Sequence, residues 1–455
     1  MGKRFDFEYI VIGGGVAGIA AAMKLAKAKR KVALIEQNKW GGASVNSRDV
    51  PAKALFNFSH LYADAISGSK FGISSANLRY NYPSVAHWRD KAVSKSIPKK
   101  KDLEDAGVVC LKGKAHFVGP NDVAVGDGQI SANKFIIATG AEMAENNISG
   151  LDSVPHLTPA TALTIERPPK AVLVVGGGPS GCEIAEYYAE LGAKVVIVEM
   201  KNKLLPREDA EVSELIEQYF DKKLGIKVFT KTRVVALEKD KHSSKVVFSR
   251  NGSERAVRVE TIVLATGSKP ATDIGLPNAK VSFDKTGIVV DRALQTSARN
   301  VFAIGDVIGG DSSTERAIYT AEIAVLNMIE RNKTYINFDG FMRVIDTYPQ
   351  IASVGMTEKE VAKKTKKYKK VLIPLSAAQA SITSDFRIGF LKLIADNQGK
   401  LIGATAVCPN AEEVLQEAAL AIRHKLPLTQ IASTPHPIGA WTELLKIGTK
   451  QLLNK

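Results

Sequence analysis

Cysteine is scarce in this chain. Three occur in 455 residues, Cys110, Cys182 and Cys408, far apart and in no CxxC or comparable cluster. That spacing excludes a disulfide framework and a cysteine-built zinc site, and it fits a reducing cytoplasm. Long apolar runs are missing too: no stretch reaches the roughly 18 residues that signal a membrane-spanning helix, so no membrane span is expected. Acid is short relative to base, with 47 Asp and Glu against 62 Lys and Arg, a net charge of +15. The lysines gather in places, at Lys99–Lys101 and from Lys363 to Lys370. No basic stripe with interleaved aromatics accompanies them, so nucleic acid is not an expected partner. Two readings of the charge stay open. It is either a solvated surface kept soluble by self-repulsion, or a docking face for an acidic protein, a polyanion or an anionic membrane surface.

What is present begins with size. A chain of 455 residues is too long for one core and suggests about three domains. Its 45% hydrophobic and 24% charged residues are those of an ordinary globular protein. Lys3 and Arg4 precede an apolar stretch from Tyr9 to Met23, the outline of a signal peptide. The glycines Gly13 to Gly15 and the acids Asp6 and Glu8 argue instead for a strand, a turn and a helix.

Tyr9–Ile12 is a short apolar run suited to a buried parallel strand. Gly13-x-Gly15-x-x-Gly18 follows, then an alanine-rich helix from about Ile19 to Ala28, then a second apolar run, Val32–Ile35, ending in Glu36. Gly13 permits the tight turn, Gly15 lets the backbone approach a pyrophosphate, and Gly18 lets helix and strand pack closely. A pyrophosphate meets the helix N-terminus, where N–H groups and the dipole favour anions, and Glu36 can accept hydrogen bonds from a ribose. The pattern occurs twice. Leu173–Val175 leads into Gly176-x-Gly178-x-x-Gly181, a helix, and Val195–Val198 ending in Glu199; in both copies the acid lies 23 residues after the first glycine. A repeat with matched spacing predicts two dinucleotide sites. Between them, Gly113 to Val125 reads as β-structure around the turn Gly119–Asp122, and Phe135–Ala138 is a strand closing on Thr139-Gly140. Its counterpart after the second copy is Ile262–Ala265, closing on Thr266-Gly267.

A third stretch lies just after the first unit: Gly41, Gly42, Ser44, Asn46, Arg48, Asp49, Pro51 and Lys53. It resembles the active-site segment of the flavin-dependent pyridine nucleotide–disulfide oxidoreductases, the family of dihydrolipoamide dehydrogenase, glutathione reductase and mercuric reductase. That pattern is a Gly-Gly pair, two cysteines with four residues between them, a Pro and a Lys. The frame is kept in Gly41, Gly42, Asn46, Pro51 and Lys53, while the cysteine positions hold Ser44 and Asp49. Thr296–Asp306 resembles the family's second flavin signature, and Tyr348–Glu358 the opening of its dimerisation domain.

The resemblance implies an α/β fold with two Rossmann-like dinucleotide-binding domains, for FAD and NAD, plus a C-terminal α+β dimerisation domain in a homodimer. The expected division is FAD-binding 1–148 and 268–336, NAD(P)-binding 149–267 and interface 337–455. It adds Gly42, Thr139, Gly140, Gly267 and the ribityl-binding Asp306 to the cofactor set. Lys53 is implied beside the flavin, where a cation stabilises charge on the reduced ring, and Glu183 beside the nicotinamide, paired with that lysine. Glu199 favours NADH, because a carboxylate repels a 2′-phosphate, while Lys201 and Lys203 keep NADPH open. Asp49 is read either as a proton donor to an acceptor, with Ser44 shaping a polar pocket, or as filler; Arg48 is placed to pair with it. His436-Pro437 resembles the family's C-terminal acid–base pair, yet Glu443 follows His436 by seven residues rather than five, and alignment on Glu443 puts Ile438 at the catalytic place. His436 is thus a catalytic candidate or a structural and interface residue.

Without a dithiol, the implied activity is oxidation of NADH through flavin and direct reduction of another acceptor: a quinone, a metal ion, oxygen, a small carrier or a second nicotinamide. Two alternatives stand beside it, a silent FAD-binding regulatory or assembly subunit and a dihydrolipoamide dehydrogenase-like protein.

Overall fold

The computed structural model describes residues 5–74, 77–241, 243–330 and 332–455; Lys3 and Arg4 of the signal-peptide outline lie outside them. The chain divides into two compact units.

The first comprises Met1–Ala54, Pro83–Glu145 and Gly267–Asn337. Its sheet runs in the order Val108–Lys112, Val32–Glu36, Phe7–Ile12 and Gly128–Ile137, with Val301–Ala303 also pairing on the last of these. These pairings are parallel, with Ile12 opposite Ile35 and Ile137. The start of the long strand Gly128–Ile137 pairs antiparallel with Asp122–Val125, which forms the expected hairpin with Ala115–Gly119. Strand alternation sorts the core onto two faces. Tyr9, Val11, Leu34, Ile136 and Phe302 lie against the helices Val16–Lys27 and Thr314–Ile329. Ile10, Ile12, Ile35, Phe135 and Ile137 lie against Phe117 and Val123. The two helices pack through small residues, Ala17 and Ala21 with Ala317, Ala321 and Ala324. The first begins at Val16, earlier than the sequence suggests, because Gly15 is already its N-cap.

The second unit comprises Leu55–Tyr82, Asn146–Thr266 and Phe338–Lys455. It repeats the parallel arrangement in the order Lys227–Phe229, Lys194–Val198, Ala171–Val175 and Thr261–Leu264, with the helix Pro179–Glu190 after the glycine turn. An antiparallel meander, Arg233–Lys239, Ser244–Arg250 and Ser253–Val259, adds to it. A five-stranded antiparallel sheet follows, ordered Met342–Ile345, Gln350–Gly355, Leu401–Cys408, Phe390–Asp396 and Tyr368–Pro374. Helices Gln416–His424 and Glu443–Leu453 bury Ala418, Ile422, Leu444 and Leu452 in its core. The fold is thus mixed α/β, with two parallel dinucleotide-type sheets and an α+β C-terminal segment.

Side chains explain why this unit includes two stretches the sequence places elsewhere. Phe56 packs on Tyr187 at 5.8 Å, and the Tyr82 and Tyr187 hydroxyls meet at 3.1 Å. Lys392, 2% exposed at its side chain, pairs with Asp209 at 3.2 Å, Glu211 at 2.9 Å and Glu358 at 2.7 Å. Glu208 takes Arg343 Nε at 2.9 Å and the Ser353 hydroxyl at 2.6 Å. Among the described residues, no helix is long and apolar enough to cross a membrane.

Candidate active site

Both glycine turns are built from the same contacts. Gly13 and Gly176 have φ of +109° and +110°, and a Cβ on either would stand 2.3 Å from the carbonyl oxygen of Ala138 or Ala265. Gly15 and Gly178 differ in purpose. Each caps a helix without a side-chain hydrogen bond. A Cβ on Gly178 meets nothing within 4 Å, and one on Gly15 only Gly42 at 3.8 Å. Space over an uncapped helix N-terminus suits a pyrophosphate, so each turn fits a dinucleotide. Gly18 and Gly181 close the turns: a Cβ there would lie 1.8 Å and 2.0 Å from the oxygens of Gly13 and Gly176.

The two acids, Glu36 at the end of its strand and Glu199 just past its own, also brace the turns. Glu36 accepts from Gly14 N at 2.6 Å and Asn38 N at 2.5 Å; Glu199 accepts from Gly177 N and Lys201 N, both at 2.6 Å. Each buried carboxylate braces its own glycine turn, a contact the motif spacing does not disclose. Lys203, which the sequence leaves open for a 2′-phosphate, donates to the Glu208 carbonyl at 2.7 Å. Thr139 donates to the Ala271 carbonyl at 2.7 Å. Gly140 and Gly267 have φ of +74° and +109°, with open space at Cβ.

The segment from Gly41 is fastened to the first glycine turn. Gly41 N donates to Gly14 O at 2.8 Å, and Gly42, at φ +63°, leaves room for Gly15: a Cβ would stand 2.7 Å from its Cα. The Asn46 amide ties the loop by donating to the Trp40 and Gly42 carbonyls at 2.9 and 2.8 Å. A short helix, Gly42–Asn46, carries Ser44, and a long one, Asp49–Ser67, opens on Asp49 and carries Lys53 one turn later.

Ser44 and Asp49 come together. The Ser44 hydroxyl donates to Asp49 Oδ2 at 2.7 Å. A residue the sequence reading missed completes the cluster: Thr314 donates to the same oxygen at 2.5 Å and lies 2.7 Å from Ser44 Oγ. No local signal marks it, since it stands 265 residues from Asp49 and belongs to no motif. The Arg48 guanidinium, expected beside Asp49, goes to Asp306 instead, at 3.6 Å. Burial pushes the Asp306 carboxyl up, and Arg48 and Ser312 oppose that shift. Arg316 binds the carbonyls of Gly309 and Asp311 at 2.6 and 2.7 Å and so holds the loop after Asp306.

In the second unit, Glu183 accepts from Asp346 N at 2.9 Å. Two further acids on its helix went unread: Glu186, 1% exposed, which accepts from Tyr348 N at 2.9 Å, and Glu190, 8% exposed. Burial pushes Glu186 well up and Glu190 to about 7. Both nitrogens of His436 are engaged, by the Thr434 carbonyl and by Glu417, each at 2.8 Å. The three cysteines are free thiols. Burial raises all of them, Cys408 to about 12 and Cys182 well above the ordinary range. Cys182 also donates to the Gly177 carbonyl.

Residues 7–326 match the family model "Pyridine nucleotide-disulphide oxidoreductase", and residues 341–446 match that family's dimerisation domain. A mercuric reductase of Bacillus cereus is 31% identical over 449 residues, covering 98% of this chain and 71% of that protein. A dihydrolipoyl dehydrogenase of Bacillus subtilis is 30% identical over 441 residues, covering 95% and 93%. Among solved structures, the HOCl-induced flavoprotein disulfide reductase RclA of Escherichia coli, as its Cu(II) complex, superposes with a TM-score of 0.87 at 24% identity, over 99% of this chain and 100% of that one. LpdA of Mycobacterium tuberculosis gives 0.88 at 23%, over 98% and 99%. Likeness at that identity concerns the fold.

Proposed function

The chain belongs to the pyridine nucleotide-disulphide oxidoreductase family, whose members use FAD and NAD(P)H, and we propose that it oxidises NADH and reduces a non-disulfide acceptor directly. The observation that carries this reading is the Ser44–Asp49–Thr314 cluster. On the resemblance of the Gly41–Lys53 segment, a hydroxyl and a carboxylate take the places of the family's dithiol, and Thr314 binds them into one hydrogen-bonded group. Burial keeps the remaining thiols protonated, and a thiol relay needs a thiolate.

FAD, when bound, supplies two-electron hydride chemistry. Gly13, Gly15, Gly18, Glu36, Gly42, Thr139, Gly140 and Asp306 would hold it, with the space at Gly15 open for the pyrophosphate. Gly176, Gly178, Gly181, Glu199 and Gly267 would hold the nicotinamide nucleotide. The braced carboxylate of Glu199 and the engagement of Lys203 elsewhere support NADH over NADPH. Lys53 would offset negative charge at the flavin, Glu183 would orient the nicotinamide, and Asp49 would deliver a proton to the acceptor with Ser44 beside it. His436, held by Glu417 and a carbonyl, fits a structural or interface role in a homodimer better than acid–base work.

Anaerobic titration with NADH tests the reading. Stoichiometric bleaching of the oxidised flavin band, with no long-wavelength thiolate band, is expected. A flavin that stays oxidised with both NADH and NADPH would overturn it and favour a silent FAD-binding subunit; robust turnover of dihydrolipoamide would restore a disulfide mechanism.

A further inference from the structure

The Ser44–Asp49–Thr314 cluster has an unusual shape. Its three oxygens, Ser44 Oγ, Asp49 Oδ2 and Thr314 Oγ1, form a triangle with edges of 2.7, 2.5 and 2.7 Å. An oxygen pair this close is attractive only with a proton between its members. Two hydroxyls bring two protons, which fill two edges and leave the third a bare oxygen–oxygen contact. A third proton closes the ring.

Asp49 is the first residue of the helix Asp49–Ser67 and Thr314 the first of Thr314–Ile329. Two helices therefore begin at the cluster, the second capped by the Ser313 hydroxyl, which accepts from Arg316 N. The charged groups nearby are Arg48 and Asp306, paired with each other at 3.6 Å, Glu315 and Arg316 in the first turn of the second helix, and Asp311 in the loop before it. Lys53 follows one turn after Asp49. The three members are half-buried.

We propose that Ser44, Asp49 and Thr314 act as a single proton-holding unit that serves an acceptor taking up a proton together with its electrons, a quinone being the chemical class that fits. The placement of the unit at the electron-transfer site rests on the function proposed above. The balance is simple. NADH loses one C–H bond as hydride, which carries two electrons and becomes one of the two new O–H hydrogens of the quinol. The other comes from the cluster, which leaves Asp49 as carboxylate, and water restores it through Ser44 or Thr314. Thr314 is the positioning residue that turns a hydrogen-bonded pair into a ring.

The test uses FAD-loaded protein reduced chemically with dithionite, so that it does not depend on NADH. Reoxidation is followed with a short-chain benzoquinone and, in parallel, with ferricyanide, which takes electrons without protons. In Thr314→Val the quinone-to-ferricyanide rate ratio should fall about tenfold, and the solvent isotope effect on the quinone step should change; Thr314→Ser should restore both. In the oxidised protein, without any substrate, the infrared band assigned to Asp49 by subtraction of Asp49→Asn should shift in the valine variant and not in the serine variant. Equal slowing with both acceptors, or an Asp49 band and isotope effect indifferent to Thr314→Val, would overturn the relay. If NADH fails to reduce the flavin while the ratio still falls in Thr314→Val, the proposed function fails and the relay stands.

Discussion

Glu190→Gln should stabilise the protein, and only on the alkaline side. Glu190 lies at the end of the helix Pro179–Glu190, 8% exposed, one turn after the more deeply buried Glu186. Burial is the main cause of its raised carboxyl, the nearby Ser59 hydroxyl opposes it, and Asp64 adds to it. A carboxyl held at about 7 instead of the ordinary 4.5 binds its proton more tightly in the folded chain, by about 3 kcal/mol. The sign follows from linkage. Between those two values the unfolded chain gives up the proton and the folded chain keeps it, so stability falls as pH rises through the window and levels off above about 7. Glutamine has nearly the same shape and never ionises. The variant should match the wild type near pH 4.5 and exceed it by about 3 kcal/mol near pH 8, with further relief because Glu190 is also a cause of the upward shift at Glu186. For a chain this long that corresponds to a melting temperature higher by about 3 °C. Scanning calorimetry or fluorescence melting of both proteins between pH 5 and 8.5 checks it. A gap that is the same at both ends of the range, or a variant less stable at high pH, would refute the argument that burial of this charge is what costs.

Gly42→Ala places a Cβ 2.7 Å from the Gly15 backbone at a positive φ, so it should separate the loop from the glycine turn and weaken FAD retention about tenfold or more. Flavin content after gel filtration and the FAD dissociation constant report that. Glu199→Gln removes the charge proposed to disfavour a 2′-phosphate but leaves one oxygen to accept from Gly177 N and Lys201 N; both nucleotides should bind less well, while the ratio of kcat/KM for NADPH over NADH should rise about tenfold. An unchanged ratio would mean that Glu199 serves the turn alone.

Much of the fold was legible because it rests on short-range chemistry. The glycine repeat shows itself in spacing, and a buried parallel strand in an unbroken apolar run such as Tyr9–Ile12. The Gly41–Lys53 frame was legible as a resemblance, and the structure brings its Ser44 and Asp49 together. What lay hidden depends on distant residues. Thr314 reaches Asp49 only because the helix that begins there packs, through its alanines, on the helix after the first glycine turn. Arg48 stands next to Asp49 in sequence, yet its side chain finds Asp306. Glu186 and Glu190 look from the sequence like ordinary surface acids on an amphipathic helix; only the tertiary packing around them, with Tyr348 above Glu186, buries them.

Lys392 has a consequence for modularity. Its ammonium is buried in the antiparallel sheet, but two of its three carboxylate partners, Asp209 and Glu211, come from the segment that also carries the second glycine turn. Uncompensated, such a charge costs several kcal/mol. The C-terminal portion is therefore no self-sufficient cassette: cut away at residue 337, or grafted behind a foreign nucleotide-binding segment, it would keep Glu358 and lose the rest of its neutralising shell. Inheritance of the two portions as one piece is written into a single lysine.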